Sequence, residues 1–409
     1  MVVIAFMMPL EPKLVTGFII LFSLSTIISF KSWDFGIFKS FPFLVKATLI
    51  SWAAFFFFHL LSLTWTAHID QGYLDVSRKL NMIFLPFLLI VLPIDERTIF
   101  RILKAFLIGV FLSVILNLLN SIVQYQEIHK FYVFTGAFAI RNIHLGYYAV
   151  FLIFSMALIA DFFLSSWLQG LKWKWVYLFL GICSIPILVL SGSKMGFFIL
   201  TGLIFFLIFF VLRGKDWKKV LLFPLLAICI LGLAVTQTQH LKDRLRTMYE
   251  RTFYSPILPE STESTMARRM TWKSAIEVWS ASPVLGCGAG DIDAEMDAKY
   301  DELGFNGPRE KGLNPHSQYL QSGAALGLIG FLLLLASVMF PLIHSLRKGQ
   351  FSVIAFFIIL LLVNVTESAL ERQAGLQFFT FFTPILLIWT LIREKNSEVK
   401  KDLLNLWPF

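Results

Sequence analysis

Long apolar runs are the feature that most restricts what this chain can fold into. Leu, Ile and Phe, the last occurring 44 times in 409 residues, fill runs of roughly 15 to 25 residues, the length at which an α-helix crosses about 30 Å of hydrocarbon. The chain is 57% hydrophobic and 15% charged, which leaves too little polar surface to cover a soluble globule. The sequence therefore predicts an all-α, polytopic transmembrane helical bundle.

About twelve apolar runs are bounded by charge, Pro or Gly, and each is predicted to be a helix. The runs are 2–10, 14–30, 44–66, 80–92, 99–123, 141 to about 165, 175–190, 195–212, 220–235, 318–346, 351–365 and 375–392. The first is short and is followed by Glu11-Pro12-Lys13 rather than a small-residue cleavage site, so we expect a helix and not a signal peptide. We predict membrane helices 1–9 in 1–236, a loop domain in 237–316, and helices 10–12 with a tail in 317–409.

The net charge of +9 comes mostly from Lys and Arg clusters in alternate short loops. Such clusters oppose translocation and bind anionic headgroups, so they predict contact with membrane lipids, no nucleic acid, and both termini in the cytoplasm. The polar stretch 236–315 is then extracytoplasmic, and its length marks it as functional. Only one of the three cysteines, Cys287, lies in a polar segment, so we expect no disulfide, and no metal or cofactor site is visible.

His316 is the first candidate for chemistry. Asn314 suits a helix N-cap and Pro315 the first helical position, which would place His316 in the first turn of an apolar helix at the membrane surface. A neutral imidazole there could accept a proton from a hydroxyl, beside a helix end that favours anions. The alternative is an interfacial His that only binds headgroups.

Arg268 is the second candidate. Residues 266–280 are predicted to form a loop helix that ends before Pro283, and a period of 3.6 places Arg268 and Trp272 on its packing face. A guanidinium held there suits a diphosphate, with Arg269 assisting. An amphipathic helix whose Arg residues bind lipid phosphates is the alternative.

Further charges are predicted at the same membrane edge. Lys194, in Ser191-Gly-Ser-Lys194-Met-Gly196, interrupts two apolar runs and needs an anionic partner, either a substrate phosphate or a lipid headgroup. Arg141 and His144 begin another helix, and Glu367, Glu371 and Arg372 form a cluster. We expect these groups either to bind sugar or to lock helices by pairing with each other. The segment 286–290, Gly-Cys-Gly-Ala-Gly, is interpreted as a flexible turn.

These motifs resemble the O-antigen ligase and polymerase superfamily of polytopic, GT-C-like glycosyltransferases, in which a large periplasmic loop precedes a His-containing helix. The family's Arg-x-x-x-Trp, followed by Pro and a Gly-rich turn, is similar to 268–272, Pro283 and 286–290. Its His-x-x-Tyr-Leu is similar to His316, Tyr319 and Leu320, and its Gly-x-x-Gly to 327–330. Lys194 stands where the family usually has Arg, and Ser317 where it often has Asn.

The resemblance implies an O-antigen ligase in the bacterial inner membrane. It would transfer a glycan from undecaprenyl diphosphate to a lipid A-core sugar hydroxyl on the periplasmic face, without metal or cofactor, with inversion at the anomeric carbon. Arg268, Lys194 and Arg269 would stabilise the departing diphosphate, and His316 would orient or deprotonate the acceptor. Tyr319, like the edge cluster, is assigned to sugar binding or to structure.

Two other functions remain open from the sequence. A Wzy-type polymerase uses the same donor with a second lipid-linked glycan as acceptor. A transporter of lipid-linked glycan would need ionisable residues at mid-bilayer or broken helices in symmetric halves, whereas the distinctive charges here collect at one face. The segment 366–375 resembles ligases more than polymerases, which favours the ligase.

Overall fold

The computed structural model describes residues 1–129, 143–164, 174–191, 193–212 and 239–406. These residues are helical, with no β-strand among them, so the predicted all-α class is confirmed. The helices are α1 (Val2–Met7), α2 (Pro12–Ile28), α3 (Ile37–Ser40), α4 (Phe43–Ser62), α5 (Ile69–Lys79), α6 (Asn81–Val91), α7 (Glu96–Ile128), α8 (Leu145–Leu164), α9 (Lys174–Ser191), α10 (Lys194–Leu212), α11 (Gln239–Phe253), α12 (Ser264–Ala281), α13 (Ile292–Leu303), α14 (Asn306–Glu310), α15 (Gln318–Lys348), α16 (Phe351–Thr366) and α17 (Gln373–Leu406).

Several helices are long and apolar enough to cross a bilayer, as expected of a multi-pass membrane protein. Within the described ranges five qualify alone, namely α4, α7, α8, α15 and α17. A sixth span forms if Pro12–Ile28 and Phe30–Ser40, bent by 75°, count as one, and shorter apolar helices lie at Lys194–Phe206 and Phe351–Thr366. The predicted run 220–235 lies outside the described residues, so the total of about twelve stays a prediction.

The described contacts define two ends of the bundle. At one end, which we call the loop face, the segment 239–317 lies over the ends of α4, α10 and α16, with contacts such as Ala289 N to Ser62 Oγ at 3.1 Å and Arg268 Nε to the Thr366 carbonyl at 3.1 Å. At the opposite face, Asp161 accepts a hydrogen bond of 2.6 Å from Ser352 and lies 3.5 Å from Arg393.

Phenylalanine fills the interior between the spanning helices. Phe106 of α7, Phe154 of α8, Phe356 of α16 and Phe382 of α17 are buried, with ring centroids such as Phe106–Phe382 at 5.0 Å and Phe154–Phe356 at 5.2 Å. Tilted and edge-on rings at these distances stabilise a core beyond the area that they bury. Much of the phenylalanine content therefore serves to fix α16 and α17, which carry the residues 366–372 at the loop face.

Helix α15 is broken at Gly327, and the broken turn is closed by the loop. Gly327 has φ 65° and ψ −162°, a conformation open only to glycine. The amides of Cys287 and Gly288 donate to the carbonyls of Ala324 and Ala325, both at 2.9 Å. On the far side of the break, Leu328 N donates to the Pro283 carbonyl at 2.8 Å. The segment 286–290, predicted to be a flexible turn, is instead pinned into the break, because backbone groups at membrane depth need partners.

Alanine at Gly286 or Gly327 is expected to destabilise the fold. A Cβ at Gly286 would lie 2.3 Å from the Ala325 carbonyl carbon, and one at Gly327 would lie 2.2 Å from that of Val284. Gly304 is the matched control, because it has φ +67° but nothing within 4 Å of its would-be Cβ. Gly304→Ala should cost only the left-handed strain of about 1–2 kcal/mol, whereas the other two add an overpacking cost of about 1–3 kcal/mol. Thermal unfolding in detergent measures this, and equal shifts at all three positions would contradict it.

Candidate active site

One carboxylate joins the two residues that the sequence singled out. Glu367 follows the last residue of α16 and is 8% exposed. Its Oε1 lies 2.7 Å from Arg268 Nη2, and its Oε2 lies 3.7 Å from His316 Nδ1. Residues 268, 316 and 367 thus meet at the loop face, at the ends of helices α12, α15 and α16. The sequence placed them at one membrane edge but did not predict that Glu367 connects them.

Arg268 is held by protein groups on three sides. Besides Glu367, it donates from Nε to the Thr366 carbonyl at 3.1 Å and from Nη1 to the Ser264 carbonyl at 3.3 Å. A guanidinium carries five N–H donors, so about two remain for a ligand. The helix that positions it, Ser264–Ala281, contains the predicted range 266–280. The buried residues of this helix include Thr271, Ser274 and Val278, so Arg268 and Trp272 lie at the edge of its packing face and not at its centre.

His316 stands just before α15 and not in its first turn. The N-cap is Ser317, whose Oγ accepts from Leu320 N, so the predicted cap at Asn314 is wrong. Asn314 Oδ1 instead accepts from His316 N at 3.1 Å, and His316 takes the left-handed conformation with φ 49°. The side-chain acceptor in this tight turn competes with the helix for the His316 amide. Positive φ is uncommon for a non-glycine residue, and such strain clusters at functional sites.

A buried polar network fixes the segment that carries Glu367. Lys79 is 1% exposed and pairs with Asp75 at 2.5 Å and Glu371 at 2.6 Å. Gln318 donates from Nε2 to Glu371 at 3.1 Å and accepts from Leu370 N at 2.8 Å. From the sequence, one expectation was that Glu367, Glu371 and Arg372 pair with each other. Glu371 instead pairs with Lys79 and Gln318. Nothing in the local sequence around Lys79 indicated this partner, 292 residues away.

A groove of about 560 Å³ opens beside Arg268. One wall is apolar and comes from α10, with Phe197, Phe198 and Phe205, of which Phe205 is exposed. The other end is polar. Its lining residues there are Lys194, Thr252, Thr265, Arg268, Arg269, Trp272 and Thr366. The groove therefore combines a surface suited to hydrocarbon with a cationic end suited to an anion.

Two polar atoms at this groove have no hydrogen-bond partner among the described residues. They are the indole nitrogen of Trp272 and the hydroxyl of Thr366, and both are buried. Buried polar groups are normally paired, so orphaned atoms next to a groove need an explanation. A polar ligand at the cationic end would supply the missing acceptor and donor.

Lys194, the first residue of α10, is paired within the protein. Its ammonium donates to Glu263 Oε1 and to Thr265 Oγ1, the latter at 2.8 Å. Burial raises the pKa of the Glu263 carboxyl, but Lys194 and two backbone amides at the start of α12 outweigh this effect and lower the pKa to about 2. Lys194 thus has the anionic partner that its position demanded, and it still lines the groove.

Of the other residues that the sequence predicted for the site, Arg269 lines the groove, and Tyr319, His144 and Arg372 do not. Arg269 lines the groove, but its Nη1 donates to the carbonyls of Arg251 and Ser255 at 2.8 and 2.7 Å. Tyr319 donates to the Leu361 carbonyl at 3.2 Å, a hydrogen bond between α15 and α16. His144 faces the charges of Glu367, Arg268, His316 and Arg372. Arg372 is exposed, and Arg141 lies outside the described residues.

The electrostatics keep Glu367 ionised. Burial raises the pKa of the Glu367 carboxyl, but His316 and the Arg268 guanidinium lower that pKa by more than burial raises it. The net shift of the pKa is therefore downward. In the part of the chain that the structure describes, no three His, Cys, Asp or Glu side chains are grouped to hold a metal ion. The charged side chains that line the groove are Lys194, Arg268 and Arg269.

A comparison with known protein families found a match that includes Arg268 and His316. A family model described as O-antigen ligase matches residues 179–335, which run from α9 through the groove and Arg268 to His316 and the break in α15. No curated protein matches the chain. The resemblance inferred from the sequence motifs is confirmed by this match: residues 179–335 match a domain described as O-antigen ligase, which is consistent with the superfamily that contains the ligases and the Wzy polymerases.

Proposed function

We propose that this protein is an O-antigen ligase that transfers a glycan from undecaprenyl diphosphate to a sugar hydroxyl of lipid A-core on the periplasmic face of the inner membrane. The groove is the observation that carries the proposal. Its apolar wall on α10 suits a polyprenyl chain, and Lys194 and Arg268 at its polar end suit the diphosphate. Glu367 and His316 lie next to that end, where the bond to the glycan would be broken.

The donor end of the mechanism depends on Arg268. Its N–H groups not used by Thr366, Ser264 and Glu367 face the phosphate oxygens, and charge builds on those oxygens as the bond from the anomeric carbon breaks. Lys194 adds a second positive charge, held in place by Glu263. Together they take the part that a divalent cation plays in other transferases. The undecaprenyl diphosphate leaves with the bonding electron pair.

The acceptor end depends on His316. A Glu367 carboxylate facing Nδ1 accepts but cannot donate, so it favours the tautomer with the proton on Nδ1 and leaves Nε2 free as the base. Nε2 accepts the proton of the sugar hydroxyl as its oxygen attacks the anomeric carbon. The imidazolium that forms is stabilised by the same carboxylate. Direct displacement of this kind inverts the anomeric configuration, which linkage analysis of donor and product tests.

Reconstitution in proteoliposomes tests the proposal. The purified protein is supplied with undecaprenyl-diphosphate glycan and, separately, with lipid A-core, with a second lipid-linked glycan, or with no acceptor, each with and without a chelator. Glycan on lipid A-core, unaffected by the chelator, is the expected result. Extension of the second lipid-linked glycan would make the protein a Wzy-type polymerase, and movement of glycan across the bilayer without transfer would make it a transporter.

The orientation is part of the proposal. The positive-inside rule places both termini in the cytoplasm, and the opposite face of the bundle carries Lys348 and Arg393. The loop face, with Glu367 and the groove, then faces the periplasm. Cysteine labelling with a membrane-impermeant maleimide is expected to modify a Cys placed at exposed Lys311 in intact cells. Modification only after permeabilisation would reverse the orientation.

A further inference from the structure

Three aromatic side chains stand exposed at the end of α11. Tyr249, Phe253 and Tyr254 are 54%, 70% and 71% exposed. Their rings nonetheless contact one another, with the Tyr249 centroid 5.4 Å from each of the other two, and the two Tyr hydroxyl oxygens are 3.1 Å apart. We call this cluster the aromatic platform. A contiguous exposed patch of this kind on a polar helix marks a binding surface.

The platform is fixed to the polar end of the groove. Thr252, the residue before Phe253, lines the groove. Arg269, which also lines it, donates from Nη1 to the carbonyls of Arg251 and Ser255, on either side of residues 252–254. Because the backbone is hydrogen-bonded on both sides of residues 252–254, the aromatic platform keeps a fixed position relative to a ligand in the groove.

A chain of ion pairs extends the same connection to the cationic residues. Arg251 Nη1 lies 3.2 Å from Glu263 Oε2, and Glu263 is the carboxylate that holds Lys194. The platform and the charges proposed to bind the diphosphate are thus parts of one hydrogen-bonded unit. A ligand with its phosphates at Lys194 and Arg268 would bring the group attached to them to this edge of the groove.

We propose that the aromatic platform binds sugar rings of the glycan carried by the lipid diphosphate, an inference that rests on the proposed function. Flat rings offer an apolar face to the C–H face of a pyranose, and the Tyr hydroxyls can bond to its hydroxyl groups. The Arg246–Glu250 pair, at 2.7 Å, adds a polar rim beside the rings. The phenylalanine wall of α10 already suits the hydrocarbon of the donor, which leaves the platform to its polar part.

Two donors test the assignment: undecaprenyl diphosphate bearing a single N-acetylglucosamine, and undecaprenyl diphosphate bearing a long polysaccharide. For the triple variant Tyr249→Ala/Phe253→Ala/Tyr254→Ala, KM for the long donor should rise about tenfold or more, since stacked contacts on three rings are lost. Transfer from the single-sugar donor should stay within about twofold. Tyr73→Ala, which removes a Tyr that is 59% exposed on α5, is the matched control and should change neither.

Equal losses on both donors, or no change with the long donor, would overturn the assignment. A direct measurement separates it from the proposed function: calorimetry of the polysaccharide, released from its lipid, with wild type and triple variant needs no turnover. Loss of that binding in the triple variant supports the platform even if neither donor is used. Unchanged polysaccharide binding, together with weaker binding to anionic vesicles, would make the cluster a membrane contact instead.

Discussion

Replacing His316 with Asn is expected to lower kcat for glycan transfer by about 10²–10⁴-fold, because the base that accepts the hydroxyl proton is lost. Asn is chosen because it tolerates the left-handed backbone that His316 adopts with φ 49°, so the turn before α15 should survive. KM for the donor should change little, since His316 is assigned to the acceptor step and not to the diphosphate. Transfer assays at saturating acceptor, with donor titrated, measure both constants.

Two companion variants make the His316 result specific. His316→Ala should show the same loss of kcat and an additional loss of stability, because Ala tolerates the positive φ less well. Tyr319→Phe, one turn further along, removes a hydroxyl that donates to the Leu361 carbonyl. It should leave kcat within about twofold. A His316→Asn enzyme with wild-type kcat would exclude His316 as the base.

The sequence predicted the residues of this site better than it predicted how they are held. Arg268 and His316 follow from local signals, a cation on a packing face and a His at the entry to an apolar helix, and such signals reach only a few residues along the chain. Their common partner, Glu367, is 99 residues from Arg268. Its role depends on how α12, α15 and α16 pack, and no local pattern encodes that packing.

The structure differs from the sequence-based predictions in two local details. Asn314 was predicted to cap α15, but the tight turn at His316 moves the helix start to Ser317. The segment 286–290 was interpreted as a flexible turn, and here its glycines permit backbone to approach backbone at the break in α15. For 286–290 a long-range contact decided the conformation, whereas at Asn314 a hydrogen bond to the His316 amide, two residues away, decided it.

The fold class, in contrast, was predictable from length and hydropathy alone. A bilayer imposes helix formation on every long apolar run, because backbone groups in hydrocarbon have no water to bind. The buried pair of Lys79 with Glu371, in contrast, could not be predicted from length and hydropathy. An isolated Lys at the end of a short helix gives no sign that it will be buried, since most Lys side chains are solvated.

Replacing Arg268 is expected to have the second large effect. Arg268→Ala should lower kcat/KM by about 10²–10³-fold, the loss typical when one donor to a developing anion is removed. Arg268→Lys should recover only a small part of this loss, because one ammonium cannot replace a fork that bonds Thr366 and Glu367 and still reaches a phosphate. Arg309→Ala, which removes an exposed Arg paired with Asp297 and Asp301, is the control for loss of positive charge.

The Arg268 variants also separate charge from geometry. If long-range attraction for the diphosphate were all that mattered, Arg268→Lys would behave like wild type, and the difference from Arg268→Ala would shrink as salt is raised. If Arg268 instead places Glu367 and thereby His316, both variants should lose kcat with little dependence on salt. The variant Glu367→Gln then provides the decisive comparison. It should reproduce the kcat loss of Arg268→Lys, and the two changes combined should cost less than the product of their separate effects, because they disable one unit.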